Sequence, residues 1–199
     1  MRVLRKSSED EMVACFLQGE LSSQRFGPAI RHELVACGRS EELLTSPDLT
    51  DPRANRVRRA LLAATRGYGE NRELFDEDFP SDVRWVWAEL SPGEMARVRY
   101  IEYSYWTELS GGSRLPTDAA RRIQAGGRAF GVSNQGFLRA ARAVARGEQF
   151  PPLIVAGPRR DELVCVEGHL RLTAYAIAGF PASVECLVGT APTLARWAH

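Results

Sequence analysis

The most chemically loaded five residues of the chain are Glu167-Gly168-His169-Leu170-Arg171. A carboxylate, a residue without a Cβ, an imidazole and a guanidinium fall within little more than one helical turn. If a strand stops at the acid and turns through the glycine into a helix, several backbone N–H groups at the helix start have no intrahelical acceptor. Together with the helix dipole they form an anion site. Gly168 admits the close approach of a phosphate, His169 adds a donor, and Arg171 adds a two-pronged guanidinium. Thr173 either bonds a phosphate oxygen or back-bonds within its own helix. Glu167, at the strand end, suits a Mg²⁺ ligand or a general base. The plainer alternatives are a simple turn at Gly168, a capping or solvated His169, and a surface ion pair from Arg171 to Glu185 or Asp161.

A second candidate runs from Tyr100 to Arg114. Its glycine loop, flanked by Ser110 and Ser113 with Arg114 beside a helix start, has the composition to wrap a phosphate or carboxylate. Tyr103, Tyr105 and Trp106 can stack on a base or an aromatic substrate, or they can simply pack in the core. Glu102 and Glu108 are the acids nearest this loop. Arg53, Arg56, Arg58 and Arg59 share one helix and read as a solvated face. The phosphate-loop, zinc-protease, nucleophile-elbow and dinucleotide fingerprints do not occur.

The elements that must position these residues follow from spacing and punctuation. Residues 11–21 and Ala29–Cys37 read as helices, the second stopping at Gly38. Pro52 opens a helix over Arg53–Thr65 with Val57, Ala60, Leu61 and Ala64 as its buried face, closed at 66–69. The segment from Leu74 carries Phe75 and Phe79, and Val83–Trp87 alternates like a strand. Ser91-Pro92-Gly93-Glu94 is a capping box, and the helix it opens is expected to run through Met95, Val98, Tyr100 and Ile101 to Trp106. Pro116–Ile123 is helical. A different rhythm follows: a helix over Phe137–Ala145, a strand at Pro152–Val155, a turn from Gly157 to Asp161, and a strand at Leu163–Val166. A helix from Gly168 to about Ala178 and a strand at Val184–Val188 complete it.

Composition narrows the classes. The 199 residues carry a net charge of +1, which disfavours a dedicated nucleic-acid binder. Lys6 is the single lysine, so a phosphate contact must come from Arg, His or backbone amides. Cys15, Cys37, Cys165 and Cys186 lack metal-site spacing, and the last two sit in apolar runs where cysteine behaves as a core residue. Acids at positions 9–11 interrupt any leader, and no stretch approaches the roughly 20 apolar residues of a membrane span. The expectation is a soluble, reduced, cytoplasmic protein.

The stretch from Phe150 to Gly189 resembles the ParB/sulfiredoxin superfamily core. Pro152-Leu153-Ile154-Val155, Gly168-His169-Leu170-Arg171 and Val184-Glu185-Cys186 occupy its strand, box and strand slots. Sulfiredoxins carry a cysteine before the histidine of the box. None is present here, since Cys165 lies three residues before Gly168. Free-serine kinases of the superfamily carry an acid, then Gly and His, and Glu167-Gly168-His169 is closest to that version. Their catalytic glutamate precedes the helix leading to the first strand, whereas Val132-Ser133-Asn134-Gln135 offers no acid.

The expected fold is α+β: the spacing gives a mostly helical region over 1–130, and the resemblance implies a small α/β core with a short mixed sheet over 131–199. It implies ATP or another nucleoside phosphate with Mg²⁺, and a kinase or nucleotide hydrolase. Glu167 and His169 are the catalytic candidates, and Glu167 is also the metal ligand. Gly168, His169, Arg171 and Thr173 are the nucleotide contacts; Ser110 and Arg114, which the composition of the glycine loop suggests, are added to them. The substrate is a small hydroxyl-bearing metabolite such as a free amino acid. A second copy of the chain is a candidate partner, and neither nucleic acid nor membrane is expected. The competing readings are a ParB-like nucleotide switch and a partner-binding protein without metabolite chemistry.

Overall fold

The computed structural model describes residues 1–67 and 80–196. Phe75, Phe79 and His199, and the end of the 66–69 helix stop, lie outside the described residues. The fold is α+β, and the chain divides into two compact units. One comprises Met1–Lys6 with Val86–His199, and the other Ser7–Trp85. The division therefore differs from one placed at residue 130: residues 86–130 belong with the sheet-bearing core, because their side chains help to build its hydrophobic cluster.

The Ser7–Trp85 unit is helical. Helix α1 (Glu9–Leu21) begins where Ser8 accepts the Glu11 N–H, and Glu9, Asp10 and Glu11 sit on the positive end of its dipole. Its buried Met12, Phe16 and Leu17 share a unit with Ile30 and Leu34 of α2 (Gly27–Ala36) and Leu44 of α3 (Glu42–Thr45). Helix α4 (Pro52–Arg66) is capped by Asp51, whose carboxylate accepts the Arg53 N–H at 2.8 Å, and closes on Gly67 at φ 71°.

The inward face of α4 is not the one that apolar periodicity selects. Ala60 and Ala64 are exposed, whereas Ala54, Asn55, Arg58, Leu61 and Leu62 are buried. Arg58, read as part of a solvated face, is 1% exposed. Its guanidinium donates to the Leu43 carbonyl at 3.0 Å, to the Asp48 carbonyl at 2.8 Å and to Asn55 Oδ1. Burial pushes its pKa down, against the nearby charges of Asp10, Asp48 and Asp51. A planar five-donor fork satisfies carbonyls of α3 and the following loop that a lysine could not reach together.

The other unit is built on a five-stranded sheet of order β1-β2-β5-β3-β4: β1 (Arg2–Lys6), β2 (Arg84–Leu90), β3 (Leu153–Arg159), β4 (Glu162–Glu167) and β5 (Val184–Thr190). The exposed β1, antiparallel to β2, has no buried face and so no periodic signature in the sequence. Strand β3 is antiparallel to β4 and parallel to β5, with Leu153 opposite Cys186. It runs past Val155 to Arg159 rather than turning at Gly157. A Cβ at Gly157 would lie 1.7 Å from the Glu162 carbonyl oxygen, so the close hairpin approach requires glycine there.

Five helices belong to this unit: α5 (Pro92–Met95), α6 (Ser104–Leu109), α7 (Pro116–Gln124), α8 (Gln135–Ala145) and α9 (His169–Ile177). The box at Ser91 holds, with the Ser91 N–H donating to Glu94 Oε2 at 2.9 Å, but α5 is one turn long instead of reaching Trp106. Backbone pairing ends it: the Arg99 N–H donates to the Leu163 carbonyl and its carbonyl accepts from Cys165, so this stretch joins the edge of β4.

Helices α7 and α8 pack on α9. Leu153, Val155, Cys165, Leu172, Cys186 and Val188 centre the core. Burial pushes both thiols up, that of Cys186 to about 12, consistent with core cysteines. Among the described residues no helix is long and apolar enough to cross a membrane.

Replacing Arg58 with Met is expected to cost the helical unit about 2–4 kcal/mol, because two buried carbonyls and Asn55 lose their donor. Arg58→Lys should not restore it, and Arg56→Ala on the exposed side should stay within about 0.5 kcal/mol. Urea denaturation followed by far-ultraviolet circular dichroism measures all three.

Candidate functional site

Strand β4 delivers Glu167 to the start of α9 through a single residue. Gly168 has φ 102°, a left-handed conformation, and its missing Cβ is essential for a second reason. A Cβ there would lie 2.5 Å from Leu153 Cδ2, 2.9 Å from Arg171 Nη2 and 3.1 Å from Arg171 Nε. The turn therefore brings the start of β3, the end of β4 and the first turn of α9 into contact.

The mouth of α9 holds an anion, and the anion is the protein's own. Glu167 Oε2 accepts the Gly168 N–H at 2.5 Å. Glu167 Oε1 accepts Arg171 Nη2 at 2.9 Å, and the same nitrogen reaches the Pro152 carbonyl at 3.3 Å. Both side chains are largely buried, at 16% and 11% exposure. Arg171 thus pairs four residues back along the chain, with neither Glu185 nor Asp161. Among the described residues no hydrogen-bond partner meets Arg171 Nε.

Thr173 resolves its two alternatives in favour of structure. It is fully buried, its hydroxyl donates to the His169 carbonyl at 2.7 Å, and the Tyr100 hydroxyl lies 2.7 Å away. His169 is neither solvated nor a side-chain cap. It is 9% exposed and stacks on Trp106 with ring centroids 4.9 Å apart, beside Tyr100 at 6.1 Å. Tyr100 and Trp106 stack on each other at 4.9 Å, and Phe137 meets Trp106 edge-on. The two stretches singled out in the sequence therefore form one cluster. Tyr100, whose buried hydroxyl helps to join them, carries no distinguishing sequence signal beyond its place in the aromatic run.

The glycine loop is arranged differently from a phosphate wrap. Ser110 is buried; its hydroxyl donates to the Trp106 carbonyl at 2.8 Å and accepts the Arg114 N–H at 2.9 Å. Arg114 adopts φ 60°, donates through Nε to the Tyr100 carbonyl at 2.9 Å, and approaches Glu102 at 3.5 Å. Both residues hold the loop closed. Glu102, Glu108, Gly111 and Gly112 instead line an open groove of about 530 Å³ with Ser104, Thr107 and Phe130.

Glu167 is the box residue with the oxygen ligands that Mg²⁺ prefers, and its two oxygens are engaged as described. Among the described residues no group of three or more His, Cys, Asp or Glu side chains comes together as a metal centre. A Mg²⁺ there would depend on phosphate oxygens for further ligands, which is how that ion is ordinarily held beside nucleotides.

Comparison of the chain with protein-family models, with curated proteins and with solved structures gives no match. The site's chemistry is therefore argued from its own geometry.

Gly168→Ala is expected to destabilise this unit by about 2–4 kcal/mol, combining left-handed backbone strain with the forced displacement of Leu153 or Arg171. Chemical denaturation of the variant checks it. Gly136→Ala, where an added Cβ meets only Leu170 at 3.8 Å, is the matched control.

Proposed function

We propose that the protein is a nucleotide-dependent phosphotransferase whose phosphate site is the N-terminus of α9, where the Glu167 carboxylate now sits on the Gly168 amide. One observation carries this reading: a carboxylate already sits on the Gly168 amide and on Arg171, so the position favours a negatively charged oxygen. The order α8, β3, β4, α9, β5, with β3 between an antiparallel and a parallel neighbour, supports reading the segment as ParB/sulfiredoxin-like.

The chain's own residues then have defined tasks. A phosphate of ATP, or of another nucleoside phosphate, exchanges with the Glu167 carboxylate at the Gly168 amide. Arg171 turns its guanidinium from Glu167 to the phosphate oxygens and brings its unpaired Nε donor with it. Glu167, released, is free to ligate Mg²⁺ or to take the proton of a substrate hydroxyl. Mg²⁺ would neutralise charge on the phosphates, as phosphoryl transfer requires. His169 is held by its stack on Trp106 and keeps the first turn of α9 in place. The acceptor is a small hydroxyl-bearing metabolite, with free amino acids the first class to try.

A second reading rests on a different observation. The space at Gly168 is filled by Leu153 and Arg171, and Thr173 is fully committed inside. Phe130 and Val132 are meanwhile exposed apolar residues beside α8. Those features suit a partner-binding protein that kept the fold without the nucleotide.

Calorimetric titration with ATP, ADP and CTP in the presence of Mg²⁺, together with an assay of ADP formed, separates these two readings and a ParB-like switch. Under the phosphotransferase reading the wild type binds at least one nucleotide, and Arg171→Ala weakens it tenfold or more. Glu167→Gln binds more tightly, because the internal competitor loses its charge, yet turns over more slowly. ADP forms only when one member of an amino-acid or metabolite pool is present. Nucleotide bound without metabolite-dependent ADP favours the ParB-like switch. No binding to either wild type or Glu167→Gln favours the partner-binding protein.

A further inference from the structure

A second concavity lies in the sheet-bearing unit, along the outer edge of β4. It encloses about 460 Å³, a volume suited to a small organic molecule. Leu115, Pro158, Leu163 and Ala195 give it apolar walls, and Arg97 and Arg99 stand in its lining. The position of Arg99 is fixed by the backbone, since its N–H donates to the Leu163 carbonyl at 2.9 Å and its carbonyl accepts from Cys165 at 2.8 Å. Arg97 also lines the adjoining recess, together with Arg160.

Charge pairing around this cavity is lopsided. Its two acids, Asp161 and Glu162, both accept from Arg159. The neighbouring Glu94 accepts from the N-terminal ammonium and from Ser91. Among the described residues Arg97, Arg99 and Arg160 form no ion pair. The cationic character extends past the wall: burial lowers the pKa of Arg114, Glu102 opposes that, and the charge of Arg99 lowers it further.

Two uncompensated guanidinium groups beside apolar walls describe the complement of a carboxylate attached to a hydrophobic body.

We infer that the cavity bounded by Arg97, Arg99, Leu115 and Leu163 is a binding site for a small organic monocarboxylate with an apolar body. The guanidinium groups hold the carboxylate, and the leucines, Pro158 and Ala195 cover the tail. The site is independent of the phosphotransferase reading and uses none of its residues.

The test titrates hexanoate, octanoate, benzoate and phenylacetate, each beside its neutral primary amide, into the intact protein by calorimetry with thermal shift as a second readout. At least one acid is expected to bind the wild type with a submillimolar Kd, and its amide tenfold more weakly or worse. The double variant Arg97→Gln, Arg99→Gln should lose tenfold or more in affinity while keeping its circular dichroism spectrum, since both side chains are exposed and the backbone pairing of residue 99 does not need them. Arg171→Ala should bind the acid as the wild type does, which separates this site from the α9 mouth. The inference is overturned if none of the acids binds, if acid and amide bind equally, or if the double variant binds as tightly as the wild type.

Discussion

The left-handed turn at Gly168 is the constraint from which the chemistry of the α9 end follows. A strand paired on β3 must reverse into a helix that crosses to the far side of the same strand, where β5 lies parallel to it. With one residue to make the reversal and Leu153 packed 2.5 Å from where a Cβ would sit, only glycine fits. The turn leaves the Gly168 N–H at a buried position, and a buried donor must find an acceptor. Glu167 supplies it, and Arg171 neutralises the charge that Glu167 brings in. The Gly168 N–H bond, the ion pair and the left-handed turn are thus one arrangement, and a ligand for this helix start has to compete with a carboxylate tethered next to it.

Much of the core was legible in the sequence because its elements are short, apolar and sharply punctuated. The apolar run at Leu153–Val155, the box at Gly168 and the alternation at Val184–Val188 each carry their own boundary residues. What periodicity could not supply was pairing between distant segments. Arg99 leaves a helical pattern because the β4 edge offers better backbone partners, so α5 stops at Met95. The exposed β1 exists only as an addition to β2 and has no amphipathic signature of its own.

The structure gives the candidate residues partners that the sequence does not name. Glu167 and Arg171 pair because the Gly168 turn folds the end of β4 back onto the first turn of α9, a contact that follows from the turn rather than from helical spacing. Ser110, Arg114 and Thr173 are polar residues whose donors the fold spends internally, because Tyr100 and Trp106 bury that neighbourhood. Arg58 is the same lesson in the helical unit. A polar residue in a charged run reads as solvated until the carbonyls it must satisfy are placed around it.

The most direct measurement for the α9 mouth as a phosphate site is a ¹H–¹⁵N spectrum of the intact protein titrated with ATP and Mg²⁺. Exchange of the Glu167 carboxylate for a phosphate at the Gly168 N–H predicts large, saturable shifts of the Gly168 and His169 amides and of the Arg171 Nε–H. Saturable shifts confined to other parts of the chain, or none up to millimolar nucleotide, would contradict it.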